Sequence, residues 1–309
     1  MAGKAQDLGD ILLAADDAGT LTENYISPAM KGLMYSMNGG WYSTAKTHKK
    51  FGFDITIEAN ASFVPKADKI FQFIQSDYTY ATLPNGETFL PTVMSSDETE
   101  TTVDVRIPYQ NNTYKVASFN MPGGIGGDIP GNAVPGPMVQ VGFGLPFHTD
   151  VKLRYVPKIS FSDDVDAGLI GFGLQHDLMQ YFGPLDKLPL NVALLGGYTT
   201  MDVTYKLQNV NGLPGANQEA AFNLTTYTVQ AIASIDLPVV SIYGGIGYDK
   251  GTSTLKMNGT YELSYDVKDN TDTVIGSITE SVKDPINLNF ETNSVRGTLG
   301  ARLNLGFFK

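Results

Sequence analysis

The sequence has no cysteine, which removes disulfide staples, thiolate metal sites and cysteine nucleophiles together. Histidine is nearly as scarce: His48, His148 and His176 are the only three, and none has a His or carboxylate at the helical spacing of a zinc site. Positive charge is short as well, with 21 Lys and Arg against 32 Asp and Glu and a net charge of −11. No basic tract offsets that balance, so nucleic acid is not an expected partner. No run approaches the roughly 18 apolar residues of a helical membrane span. The nucleophile elbow Gly-x-Ser-x-Gly is missing, and Gly123-Gly124-Ile125-Gly126-Gly127 lacks the Gly-Lys-Ser/Thr ending of a phosphate loop, so that run reads as a flexible loop. Asp97-Glu98-Thr99-Glu100 with Asp104 lacks the spacing of a calcium loop and reads as a solvated acidic loop. The expectation is therefore a protein that is not an enzyme and carries no cofactor or metal.

What is present is abundant glycine (33), tyrosine (16) and phenylalanine (16) in a chain of 309 residues, enough for one large domain. At the start, Gly3 and Ala5 stand three and one positions before Gln6, as at the end of a signal peptide. A processed, exported protein and an ordinary N-terminus both fit those residues. Leu8, Ile11, Leu12 and Ala15 recur at helical spacing, which predicts a helix from Asp7 to about Tyr25. Pro28 is expected to break it before the chain emerges at Gly39-Gly40-Trp41-Tyr42.

From there the period is two. Val295, Leu299, Ala301, Leu303, Leu305 and Phe307 share one face, and Arg296, Thr298, Arg302 and Asn304 the other. Segments 139–145, 151–159, 226–236 and 240–249 alternate in the same way. A soluble sandwich also alternates, but here the second face carries Gly, Thr, Asn, Gln, Lys and Arg, as a polar lumen does. Gly142, Gly144, Gly171, Gly173, Gly244 and Gly247 would allow curvature and close packing against a plug. Tyr155, Tyr198, Tyr243, Tyr248 and Phe307 are candidates for interfacial girdles.

The predicted fold is all-β: an antiparallel transmembrane β-barrel of about 10–14 strands with a short N-terminal helical plug. Residues 1–38 form the plug or periplasmic segment and 39–309 the barrel, with long external loops at about 84–136, 206–223 and 249–285. Strands near 51–64, 137–145, 165–175 and 224–235 would run one way, and those near 69–81, 151–159, 190–206 and 239–249 the other. Leu8, Ile11, Leu12, Pro28, Met30, Leu33 and Met34 are the candidate plug and ligand-contact residues. The basic residues Lys152, Arg154, Lys158, Arg296 and Arg302 would face the lumen, where they set anion preference, pin the plug or enter ordinary ion pairs.

Several segments carry a resemblance. Tyr25-Ile26-Ser27-Pro28-Ala29 with Lys31-Gly32, Gly40-Trp41-Tyr42-Ser43-Thr44-Ala45-Lys46 followed by Phe51-Gly52-Phe53-Asp54, Gly171-Phe172-Gly173-Leu174-Gln175-His176-Asp177, and Leu188-Pro189 with Gly197-Tyr198-Thr199 resemble an uncharacterised outer-membrane β-barrel family of Bacteroidota. That family is itself loosely similar in plan to long-chain fatty-acid transporter barrels, whose hatch has Asn-Pro-Ala where this chain has Ser27-Pro28-Ala29. The resemblance implies a Gram-negative outer membrane, lipid as the surroundings, and porin-like passive transport or binding of a small hydrophobic compound. The alternative is a structural or accessory barrel whose loops dock another envelope protein. An apolar cavity beside residues 8–34 would mark the first, and a filled lumen with exposed apolar loop residues the second.

Overall fold

The computed structural model describes residues 16–96, 101–109, 112–160, 164–183, 188–207, 214–268 and 273–303. It opens with one helix, α1 (Asp16–Asn38), which runs through Pro28 without a break. An interior proline costs on the order of 3 kcal/mol. Burial on one side of the helix offsets it: Ala18, Leu21, Met34 and Met37 are all buried, and each large apolar side chain contributes roughly 1.5–3 kcal/mol. The expected break at Pro28 is therefore corrected by packing, which local propensity does not include. Leu8, Ile11 and Leu12 lie outside the described residues.

The principal sheet is antiparallel and has nine strands. Its order is β1 (Phe53–Phe63), β7 (Ala133–Leu145), β8 (Thr149–Ser160), β9 (Val165–Asp177), β10 (Leu190–Lys206), β11 (Gly215–Asp236) and β12 (Val240–Lys268). The long β12 then serves two partners. Its first part, from Val240 to Met257, pairs with β14 (Ile286–Leu303), and its second, from Thr260 to Lys268, with β13 (Val274–Lys283).

Two expectations change here. Segment 69–81 is not a spanning strand: it holds only β2 (Ile70–Gln72) and the start of β3 (Ala81–Thr82), which sit in small separate sheets. β2 pairs with β4 (Phe89–Pro91), and β3 with the hairpin of β5 (Thr102–Tyr109) and β6 (Asn112–Asn120). Short 3-10 turns at Lys66–Lys69, Gln75–Asp77 and Pro84–Gly86 interrupt any longer ladder. Consequently β1 pairs directly with β7, Phe53 opposite Phe143, and the two run in opposite senses. The second change concerns the long polar connections 206–223 and 249–285. Much of each is strand, because β11 begins at Gly215 and β12 continues to Lys268. Polar residues on both faces read as loop in one sequence, but a ladder forms once a neighbouring strand is supplied.

Side chains sort in the reverse of a water-soluble sheet. Ile55, Val141, Leu153, Phe172, Tyr198 and Tyr227 lie opposite one another across six strands, on the convex face. Ile57 is 83% exposed, Val229 64% and Leu299 85%. The next rows face inward and are polar or small. One reads Thr56, Gln140, Arg154, Gly171, Thr199 and Thr226, and the other Asp54, Gly142, Lys152, Gly173, Gly197, Thr228 and Asp249.

Along that concave side runs α1, which contacts β1, β7, β10, β11, β12 and β14. The sheet thus curves around the helix, with the long strands at its two edges, β1 and β14, against the same element. Among the described residues, β1 pairs with β7, β14 with β12, and no ladder joins β1 to β14. At the N-terminal end of α1 the small-sheet module closes over the helix. The Asp17 carboxylate accepts backbone hydrogen bonds from Thr79, Tyr80 and Ala81, and Phe73, Leu90, Val105, Phe119 and Met121 pack into the same core as Leu21. The glycine run 123–127 belongs to this packing instead of being a free loop: Ile125 N–H donates to Val93 and Gly126 N–H to Ser95.

Candidate functional site: the plug and its latch

After α1 the chain turns at Gly39 and Gly40, the latter at φ 73°, where a Cβ would collide with Glu58. That turn delivers Trp41, the single tryptophan, into the concave side of the sheet, where it is buried. The indole lies against Gly173 and Gly197: a Cβ at either position would fall 2.7 or 2.6 Å from the ring. The Arg154 guanidinium covers the indole ring at 3.5 Å.

Arg154 is fully buried and also holds the end of the helix. It donates to the carbonyls of Met37 (2.8 Å) and Gly39 (2.7 Å) and to Gln140 Oε1 (3.1 Å). Lys152 donates to the Trp41 carbonyl. Arg296 donates to the Tyr35 carbonyl at 3.0 Å and pairs with Asp249. The last carbonyls of a helix have no intrahelical partner and carry the negative end of its dipole, so cations placed there satisfy acceptors and charge together. Farther along the connector, Arg302 reaches Ser43 Oγ at 3.3 Å and Asp236 at 3.8 Å, while the Thr44 hydroxyl donates to Asp236.

Four of the five basic residues expected in the lumen therefore meet the helix exit and its connector. Lys158 does not: it is exposed, because β8 is shifted in register between Val156 and Ile159, where Pro157 has no N–H to give the ladder. Lys152, Arg154, Arg296 and Arg302 hold the helix exit and its connector, and Arg296 and Arg302 also form ion pairs. Met34 is buried, Met30 and Leu33 pack against the same core, and Pro28 is half-buried within the helix. Tyr243, expected among girdle residues, faces inward and meets Tyr42 edge-on at 5.6 Å. Phe307 lies outside the described residues, as do Asp97–Glu100.

Sequence reasoning missed Trp41, Gln140, Asp249 and Gly197 as members of this site. The available signal was the glycine pair: Gly173 and Gly197 face each other across β9 and β10 beneath the only tryptophan, but that alignment depends on register between strands.

The histidines make polar contacts. His48, on the connector before β1, hydrogen-bonds Asp150 at 2.9 Å and lies 3.6 Å from Asp54. The hydrogen bond to Asp150 is the main cause that raises its pKa above the ordinary 6.5, against an opposing effect of burial. His176 contacts Thr149 at 2.8 Å and Tyr181 at 3.0 Å. Among the described residues no group of three His, Cys, Asp or Glu is arranged to hold a metal ion.

These features define a class: an antiparallel sheet with an apolar band on its outer face and both polar rows and an apolar core within, curved around its own helix. The chain belongs to the family of unknown function DUF6588, which matches residues 1–309. No curated protein and no solved structure matches it.

Proposed function

We propose that this chain is an integral outer-membrane β-barrel, with β1 and β14 meeting around α1, and that the helix and its connector keep the lumen closed at rest. The observation that carries the reading is the inverted burial, with apolar rows outside and Arg154, Gln230 and Asp249 inside. Such a continuous apolar surface is unfavourable in water and favourable against lipid. Its height fits: on β14 the outward positions run from Leu303 to Val295, about the 9–11 residues of a tilted membrane strand. Tyr155, Tyr198, Tyr227 and Tyr248 stand toward one border, and Phe51, Phe147, Tyr181 and Phe182 are exposed around the short turns at the other, as interfacial aromatics would be.

The barrel would bind or pass a small compound when the plug shifts. A hydrophobic passenger needs that movement, because the interior beside Leu21 and Met34 is packed. The accessory-subunit reading draws on the same filled interior and on Ile70, Ile74, Phe89 and Ile125, which are exposed in the loop module. Deleting residues 7–38 separates the two. A gated barrel should change from near-zero conductance in planar bilayers to a steady ionic current, and a barrel that assembles yet stays closed would leave the accessory role.

A further inference from the structure

A pocket of about 340 Å³ lies where the helix exit meets the edges of the sheet, bounded by the 38–43 turn, by Glu58 and Asn60 of β1, by Gln230 of β11, and by Tyr243, Arg296 and Thr298. It falls at the small end of ligand-site volumes, and its chemistry is mixed. Gln230 is 2% exposed; its amide nitrogen donates to Thr228 at 2.8 Å, and its Oε1 has no hydrogen-bond partner. Leaving a buried acceptor unpaired is costly, so that oxygen calls for a donor. Glu58 supplies a second acceptor and forms no ion pair among the described residues, whereas Arg296 is already engaged by Asp249 and Tyr35. Asn60 adds an amide with an N–H to give beyond the one shared with Glu58, and Thr298 a hydroxyl that Tyr42 shares. Tyr42 and Tyr243, edge-to-face at 70°, furnish aromatic surface.

We infer that this pocket binds a small hydroxyl-rich molecule of the saccharide class. Each sugar hydroxyl both donates and accepts, so one ligand can give to Gln230 and Glu58 and accept from Asn60 and Thr298, while its C–H face lies on tyrosine. An ammonium ligand offers donors only and leaves the amide and hydroxyl donors unanswered. Because the pocket includes Asn38 to Ser43, occupancy would act directly on the seat of the plug.

The test uses the full chain in micelles of a detergent without a sugar headgroup, with Trp41 emission as the readout. That residue borders the pocket and is the only tryptophan. Glucose and maltose should each give a saturable change and choline chloride none. Glu58→Gln and Gln230→Leu should each weaken binding roughly tenfold, as expected for loss of a hydrogen bond in a buried site. Circular dichroism confirms that each variant is folded, and Glu58→Gln, at a half-buried position, keeps the test open should Gln230→Leu not fold. No saturable response to either sugar, an equal response to choline, or unchanged binding in folded Glu58→Gln would overturn the proposal. Binding in micelles needs no conduction, so a barrel that never conducts and a pocket that never binds are separate results.

Discussion

Arg154 is buried without a carboxylate in ion-pair contact among the described residues. Its charge is spread over two carbonyls, an amide oxygen and an indole face. The arrangement depends on the absence of a side chain beneath Trp41. Gly197→Ala would place a Cβ 2.6 Å from the ring, whereas at Gly196 nothing lies within 4 Å. Forcing extra volume into a packed site typically costs about 1–3 kcal/mol. The Gly197 variant should therefore shift Trp41 emission to the red and unfold at lower temperature, while Gly196→Ala stays close to the parent. Matching spectra for the two would mean that Trp41 does not occupy this seat.

His48 gives a pH dependence whose sign follows from its raised folded pKa. Its contribution to stability is complete below about 6.5 and is lost as pH rises through the folded value. Melting temperature should thus decline over that window, and His48→Gln should flatten the decline. An identical slope in the variant would remove His48 from the account.

At this scale the sequence was only partly legible. Lys152 and Arg154 follow from alternation alone. Lys158 does not, because the irregularity at Pro157 breaks the alternation that placed it. Trp41 could not be placed, since the contacts that define its seat come from residues about a hundred or more positions away.

Among elements, the helix shows how tertiary packing overrides a local breaker. Pro28 argues for two segments, yet the apolar and small residues on both sides of it face one continuous wall, and the helix continues to Asn38. The strands were more readable where one face is apolar and less so where both are polar, as in the outer parts of β11 and β12. β14 contains both regimes. Its outward positions are Leu303, Leu299 and Val295 at one end, then Asn293 and Glu291, the latter paired with Lys250. Leu299→Arg should cost about 2–4 kcal/mol if that residue sits near the middle of a bilayer. The loss would appear as reduced heat-modifiable, assembled protein, with Asn293→Arg assembling normally. Equal tolerance at both positions would rule out a lipid-facing band.

For the molecule as a whole, the strongest legible signal was the polar second face, which foretold the inward polar rows at Gln140, Arg154 and Thr228. The count and order of strands were less accessible, because β1 skips some seventy residues to pair with β7, and the intervening segment folds as a separate module over the helix. The position of α1 inside the curve of the sheet constrains how the protein can assemble. Among the described residues the helix precedes every strand, and the strands at the two edges, β1 and β14, come from opposite ends of the remainder. In the proposed barrel, closing the sheet joins the earliest strand to the latest, so it is the step with the greatest loop-closure entropy and belongs at the end of folding. Arg154, Trp41 and the Met37 carbonyl would by then have to be in register, since a wall closed as proposed offers no route for a helix to enter sideways. The proposed barrel would therefore close around a helix already in place, and a lumen that has closed without its helix should not accept the same helix supplied later as a separate peptide.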